Sequence, residues 1–115
     1  MKHILVADDD VGMLHLIGRA LPDYRVTVAR DGIEALAISS HLGDCDLLIT
    51  DYMMPTMTGD ELVGRLRASR PALKTLLVTS HSEFVNAEGC GADAHLPKPF
   101  HIAALRDAVT NLIGH

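Results

Sequence analysis

The sequence predicts an α/β domain, a parallel sheet of five short strands covered by helices on both faces. Three observations predict it. Short continuous apolar runs alternate with longer segments in which apolar residues recur at helical spacing. The runs are apolar at successive positions, the pattern of strands buried on both sides. Polar groups with chemistry to offer (carboxylates, a hydroxyl and an amine) stand where separate runs end.

Taken in order, Ile4-Leu5-Val6-Ala7 is the first strand and runs into Asp8-Asp9-Asp10. From Val11 onward, Leu14, Ile17 and Leu21 recur at helical spacing until Pro22 closes the segment. Tyr24 to Ala29 is the second strand. Asp31 with Glu34 resembles a capping box and starts a helix through about His41. Asp46 to Thr50 is the third strand, leading into Asp51. Thr58 and Glu61 form a second capping-box pair, and Leu62, Val63 and Leu66 give that helix its apolar face. Leu76-Leu77-Val78 is the fourth strand, ending at Thr79. A short helix is expected from about Glu83 to Glu88, then a Gly-rich turn and a fifth strand over Ala94 to Pro97. The last helix carries Ile102, Leu105, Val109 and Leu112 on one face. Right-handed crossovers leave few ways to wind such a sheet. Of these we expect the flavodoxin-like order 2-1-3-4-5, which periodicity alone does not determine.

Bulk properties narrow the function. A length of 115 residues suits one domain, and we expect residues 1–115 to form it with no separate output domain. Aromatics make up only 3%, so aliphatic side chains must fill the core. The apolar runs are far shorter than the roughly 20 residues that span a bilayer. Met1-Lys2-His3 leads straight into a strand, with no signal-peptide core, so the expected location is the cytoplasm and no membrane partner is expected. A net charge of −5 argues against direct nucleic-acid binding, which needs surplus Lys and Arg to displace counterions. Cys45 and Cys90 have no CxxC spacing, and no two of the seven His stand three or four residues apart, which disfavours a disulfide framework or a helical zinc site.

In open α/β sheets, ligands bind outside the carboxyl ends of the strands. Asp8 and Asp9 follow the first strand, Asp51 the third and Lys98 the fifth, while Thr79 ends the fourth. The predicted fold therefore brings carboxylates, a hydroxyl and an amine to one edge. Carboxylates so gathered repel one another, and a cation is the usual remedy. Oxygen ligands without Cys or paired His favour magnesium over zinc or copper. The plainer alternative for Asp8-Asp9-Asp10 is a solvated turn capping the first helix. Thr79 alone is a strand-end hydroxyl, and Lys98 alone a surface lysine, although Pro97 and Pro99 on either side suit a rigid presentation. Met13, Met53, Met54 and Met57 are expected to fill gaps, and Gly59 to serve a turn.

The segments ILVADDD (4–10), DLLITDYMMPTMTG (46–59), LLVTS (76–80) and GADAHLPKPF (91–100) resemble the receiver domain of response regulators in two-component signalling. The likeness runs through essentially the whole chain, and four such segments in the family's order are specific where each alone is weak. It implies that Asp51 is the phosphorylated aspartate, taking its phosphoryl group from a phosphohistidine or a small acyl phosphate. Asp8 and Asp9 match the acidic pair that holds magnesium, Asp9 more directly, with the Met53 backbone carbonyl as a further ligand. Thr79 matches the hydroxyl that bonds a phosphoryl oxygen, and Lys98 the lysine that pairs with carboxylate or phosphoryl group. Ser80, being small, should leave the site open to a donor. Pro99 resembles the proline that follows a cis peptide bond and aims the lysine. The implied partners are a histidine kinase or a histidine phosphotransfer protein, with a downstream protein that the sequence does not identify. The resemblance implies a signalling phosphoacceptor, not an enzyme with a separate substrate.

Two departures bear on output. The family usually places Tyr or Phe where this chain has His95. Either switching is weakened, altered or pH-sensitive here, or His95 is a surface residue with no switching role. The stretch between Thr79 and Lys98 is also shorter than the family's usual spacing, so the helix within it should be short or frayed. Three rival functions fit the sequence less well. A pseudo-receiver would fold alike and bind partners without phosphorylation, but the complete acidic set with Thr79 and Lys98 weighs against it. A haloacid-dehalogenase-type phosphatase wants a second Asp where Met53 stands. A flavodoxin wants a Ser/Thr-rich phosphate loop after the first strand, where this chain has Asp8-Asp9-Asp10.

Overall fold

The structure is a computed structural model and describes residues 1–80 and 91–115. Its strands are β1 (His3–Ala7), β2 (Arg25–Ala29), β3 (Leu47–Asp51), β4 (Lys74–Thr79) and β5 (Ala94–Pro97). The helices among the described residues are α1 (Val11–Ala20), α2 (Gly32–Ser39), α3 (Gly59–Ser69) and α4 (Ile102–Ile113). All strands pair in parallel in the order β2-β1-β3-β4-β5, the winding expected from the sequence. The short helix expected over about Glu83 to Glu88, and its frayed form, lie outside the described residues, as do His81 and Cys90. No helix among the described residues is long and apolar enough to cross a membrane.

Alternate residues of each strand face opposite helical layers. Ile4, Val6, Leu47, Ile49, Leu76 and Val78 pack with Leu14 and Ile17 of α1 and Leu105 and Val109 of α4. Leu5, Ala7 and Leu48 pack on the other side with Ala35 of α2 and Leu62, Val63 and Leu66 of α3. Every residue of β1 is buried, because a strand with neighbours on both edges and helices on both faces has no route to water. This sandwich holds the carboxyl ends of β1 and β3 rigidly side by side.

Element boundaries differ from expectation where a side chain is used elsewhere. β2 begins at Arg25, not Tyr24, because the Tyr24 amide closes a turn onto Leu21 and its hydroxyl donates to the Gly114 carbonyl at 2.6 Å. α2 ends at Ser39, not about His41, and the guanidinium of Arg70 donates to the carbonyls of Ser39, Leu42 and Gly43. Those bonds satisfy acceptors that a continuing helix would have used. The Thr58–Glu61 capping box does not form. Thr58 is the N-cap of α3 by position, but its hydroxyl turns to the Asp60 carboxylate, while Glu61 pairs with Arg65. Met53 is no gap filler, since half of it is exposed, whereas Met54 and Met57 are buried as expected.

Candidate functional site

The three carboxylates after β1 divide their work. Asp10 is the N-cap of α1, its carboxylate accepting from the amides of Gly12 and Met13. That satisfies two of the four amides a helix start leaves open. Asp8 is 2% exposed and accepts the Asp10 amide through Oδ1 at 2.9 Å. Asp9 is exposed. Capping and cluster formation therefore coexist, each on different carboxylates.

Asp51 closes β3, one strand over from β1, and is half-buried. One ligand oxygen from each of Asp8, Asp9 and Asp51 can be chosen so that all lie within 4.8 Å of one another. Lys98 reaches this group from the far side, its Nζ 2.9 Å from Asp8 Oδ2 and 3.3 Å from Asp51 Oδ2. The Lys98 amide donates to the Thr79 carbonyl at 2.9 Å, fastening the lysine to the end of β4. The Lys98–Pro99 peptide bond is cis, as the resemblance implied. Thr79 is fully buried at the end of β4 and Ser80 is exposed beside it. The sequence-predicted residues Asp8, Asp9, Asp51 and Lys98 thus meet at one place, with Thr79 held against Lys98 through the backbone.

His95 stands opposite Leu77 on β5 and is exposed.

The electrostatics follow from crowding. Burial pushes the Asp51 carboxyl above its ordinary range; the Lys98 ammonium pulls it down and the Asp8 carboxylate pushes it up. Burial pulls Lys98 down, but its hydrogen bond and charge interaction with Asp8, then Asp51, outweigh this and hold the ammonium above its usual value. The two directions are compatible because Lys98 lies nearer Asp8 than Asp51 and neutralises Asp8 first. One ammonium facing three carboxylates leaves the group with surplus negative charge. An all-oxygen donor set with that surplus fits a hard divalent cation such as magnesium. Met53 lies two residues beyond Asp51 with its side chain turned outward, so a role as ligand would fall to its backbone carbonyl.

Sequence reasoning missed the weight of Gly59. It is the buried first residue of α3, and its amide donates to the Tyr52 carbonyl at 2.7 Å. A Cβ there would stand 2.2 Å from the Asp51 carbonyl oxygen. No local signal reveals this, because the crowding atom belongs to another element.

The family model described as the response regulator receiver domain matches residues 4–110. The chain is 35% identical to the sensor kinase CckA of Brucella abortus, covering 96% of this chain and 12% of that protein. It is 40% identical to the response regulator MprA of Mycobacterium avium, covering 89% of this chain and 46% of that protein. The chain therefore spans less than half the length of these relatives. Among solved structures it resembles the chemotaxis response regulator CheY4 of Vibrio cholerae, with TM-score 0.88 and 30% identity over 97% of this chain and 98% of that one. It also resembles TrrA of Thermotoga maritima in complex with Mg(2+)-BeF, with TM-score 0.87 and 32% identity over 97% of this chain and 99% of that one.

Proposed function

This chain belongs to the response regulator receiver domain family, and from that membership we propose that it is a phosphoacceptor whose Asp51 takes a phosphoryl group and thereby alters a protein-binding surface. The observation that carries this reading is the convergence of Asp8, Asp9 and Asp51 oxygens opposite the Lys98 ammonium. The donor is a phosphohistidine on a histidine kinase or histidine phosphotransfer protein, or a small acyl phosphate. Similarity to a sensor kinase and to response regulators supports a partner of that kind. We place the domain in the cytoplasm with such partners.

In the transfer, an Asp51 carboxylate oxygen forms the new O–P bond as the P–N bond of the phosphoimidazole breaks. The electron pair of that bond returns to the ring nitrogen. Asp51 loses no proton, so it need only be ionised and aimed. Asp8, Asp9, Asp51 and the Met53 carbonyl would hold magnesium. The bound metal supplies the charge neutralisation that lets an anion approach an anionic phosphoryl group. Lys98 adds a second positive charge, already shared between Asp8 and Asp51, and follows the negative charge onto the phosphoryl oxygens. The Thr79 hydroxyl bonds a phosphoryl oxygen after transfer, and the small, exposed Ser80 leaves the approach open. The chain assists its own phosphorylation and dephosphorylation and turns over no separate substrate. The pseudo-receiver reading finds no specific observation in its favour.

Incubation with acetyl phosphate, with and without magnesium, read by intact mass, tests the reading. The wild type should gain one phosphoryl group only with magnesium, and Asp51→Asn none. Uptake by Asp51→Asn equal to wild type would sink the assignment.

A further inference from the structure

We propose that Gly59 is a positioning residue for Asp51, holding the backbone at the phosphoacceptor by the closeness of its own α-carbon to the Asp51 carbonyl. This rests on the reading of Asp51 as phosphoacceptor and adds a residue to it.

The argument begins with space, not conformation. Gly59 is not among the glycines with positive φ, which among the described residues are Gly91 and Gly114, so no backbone angle demands glycine there. What demands it is contact. A Cβ at Gly59 would lie 2.2 Å from the Asp51 carbonyl oxygen, 3.0 Å from its carbonyl carbon and 2.8 Å from Leu77 Cδ1, where real Cβ atoms essentially never come within 3.0 Å. Leu77 could rotate away; the carbonyl could not. The same oxygen accepts the Thr50 hydroxyl at 2.9 Å, and Asp51 lies in β3 in register with Val78 of β4. On the other side, the Gly59 amide grips the next carbonyl, that of Tyr52, at 2.7 Å. The start of α3 therefore touches two consecutive carbonyls of the segment that presents Asp51 and Met53.

Gly32 offers the contrast. A Cβ there would meet only side-chain atoms of Met57, Sδ at 2.8 Å, Cβ at 3.0 Å and Cγ at 3.1 Å, and no strand carbonyl. At Gly59 the sheet resists movement, so a methyl group must displace residues 51–53 or lift α3. Either shift moves the attacking carboxylate relative to Asp8, Asp9 and Lys98. Misplacement of a reacting group by about 1 Å can slow a reaction by roughly a hundredfold.

Gly64 supplies the control. It lies exposed in the same helix, and a Cβ there meets nothing within 4 Å. Gly64→Ala should strengthen α3 and leave phosphorylation at the wild-type rate. Gly59→Ala is then placed in the Gly64→Ala background, and uptake from acetyl phosphate is timed at saturating magnesium and a temperature where both proteins are folded. The rate should fall about ten- to a hundredfold per folded molecule, a loss that weaker folding alone would not produce. Adding Leu77→Ala should not restore it. A rate within about twofold of the Gly64→Ala protein, or recovery with Leu77→Ala, overturns the proposal. If Gly59→Ala/Gly64→Ala does not fold, Thr50→Val removes a hydrogen bond to the same carbonyl without a clash and should slow uptake by more than about twofold through misplacement of the carboxylate; an unchanged rate there overturns the proposal. No uptake by the wild type would instead defeat the phosphoacceptor reading itself.

Discussion

Asp51 is ionised at a cost to the fold. Its folded pKa is raised, chiefly by burial, so the folded chain binds its proton more tightly than the unfolded chain does. Below the ordinary value of 3.8 both states are protonated and the residue is neutral toward stability. As pH rises through the raised folded value, the unfolded state ionises more readily and stability falls. Without magnesium, Asp51→Asn should therefore unfold at higher denaturant concentration than wild type at neutral pH. The difference should close as pH drops below 3.8. Urea midpoints across pH measure it, and an Asn variant less stable at neutral pH would contradict the charge balance described for the site. In the proposed transfer the same ionised state attacks phosphorus, so the residue's reactivity and its cost to stability would have one origin.

At the scale of elements, the helix starts show how local chemistry sets the site's neighbours. Asp31 accepts the Glu34 amide at 2.7 Å, while Glu34 reaches back to the Arg30 amide at 3.1 Å. Thr58 holds the equivalent position before α3 but spends its hydroxyl on Asp60. Asp31→Ala should cost about 1 kcal/mol, the usual worth of an N-cap. Thr58→Ala should cost less than about half of that, because no amide of α3 loses its partner. Denaturant midpoints compare the two, and equal losses would show that Thr58 caps α3 in solution. Of the two helices, α3 starts directly against the Asp51 and Tyr52 carbonyls, while α2 starts against Met57.

For the whole molecule, a ligand that binds only the folded state raises its stability by mass action. The carboxylates at issue come from two strands and meet only in the folded chain, so magnesium should stabilise the domain. At ten times the dissociation constant the gain is about 1.4 kcal/mol. A rise in Tm with added magnesium measures it. Asp9→Ala should abolish the rise while leaving the metal-free Tm nearly unchanged, because Asp9 is exposed and its substitution opens no cavity. Magnesium-independent melting of the wild type would remove the metal from the proposed chemistry. The gain also opposes the Asp51 penalty, so metal-free and metal-bound protein should differ most where Asp51 is ionised.

What the sequence by itself determined was the kind and order of the elements and the identity of the groups at their ends. Continuous apolar runs and helical spacing are local patterns, and Asp8, Asp9, Asp51, Thr79 and Lys98 each follow or end a strand legible in the chain. The tertiary structure alone decided how those groups share their work. It gave the α1 cap to Asp10 alone, a use the sequence offered for the three carboxylates together, while Asp8 and Asp9, the pair the resemblance singled out, lie with Asp51. It turned the Thr58 hydroxyl to donate to Asp60 instead of accepting from an α3 amide, two local bonds that differ by little energy until packing selects one. It exposed His95, and it set Gly59 close against an oxygen on a different element. Local patterns encode what a residue is and which element it joins; only close packing between distant segments decides which atoms it must avoid and which it must hold.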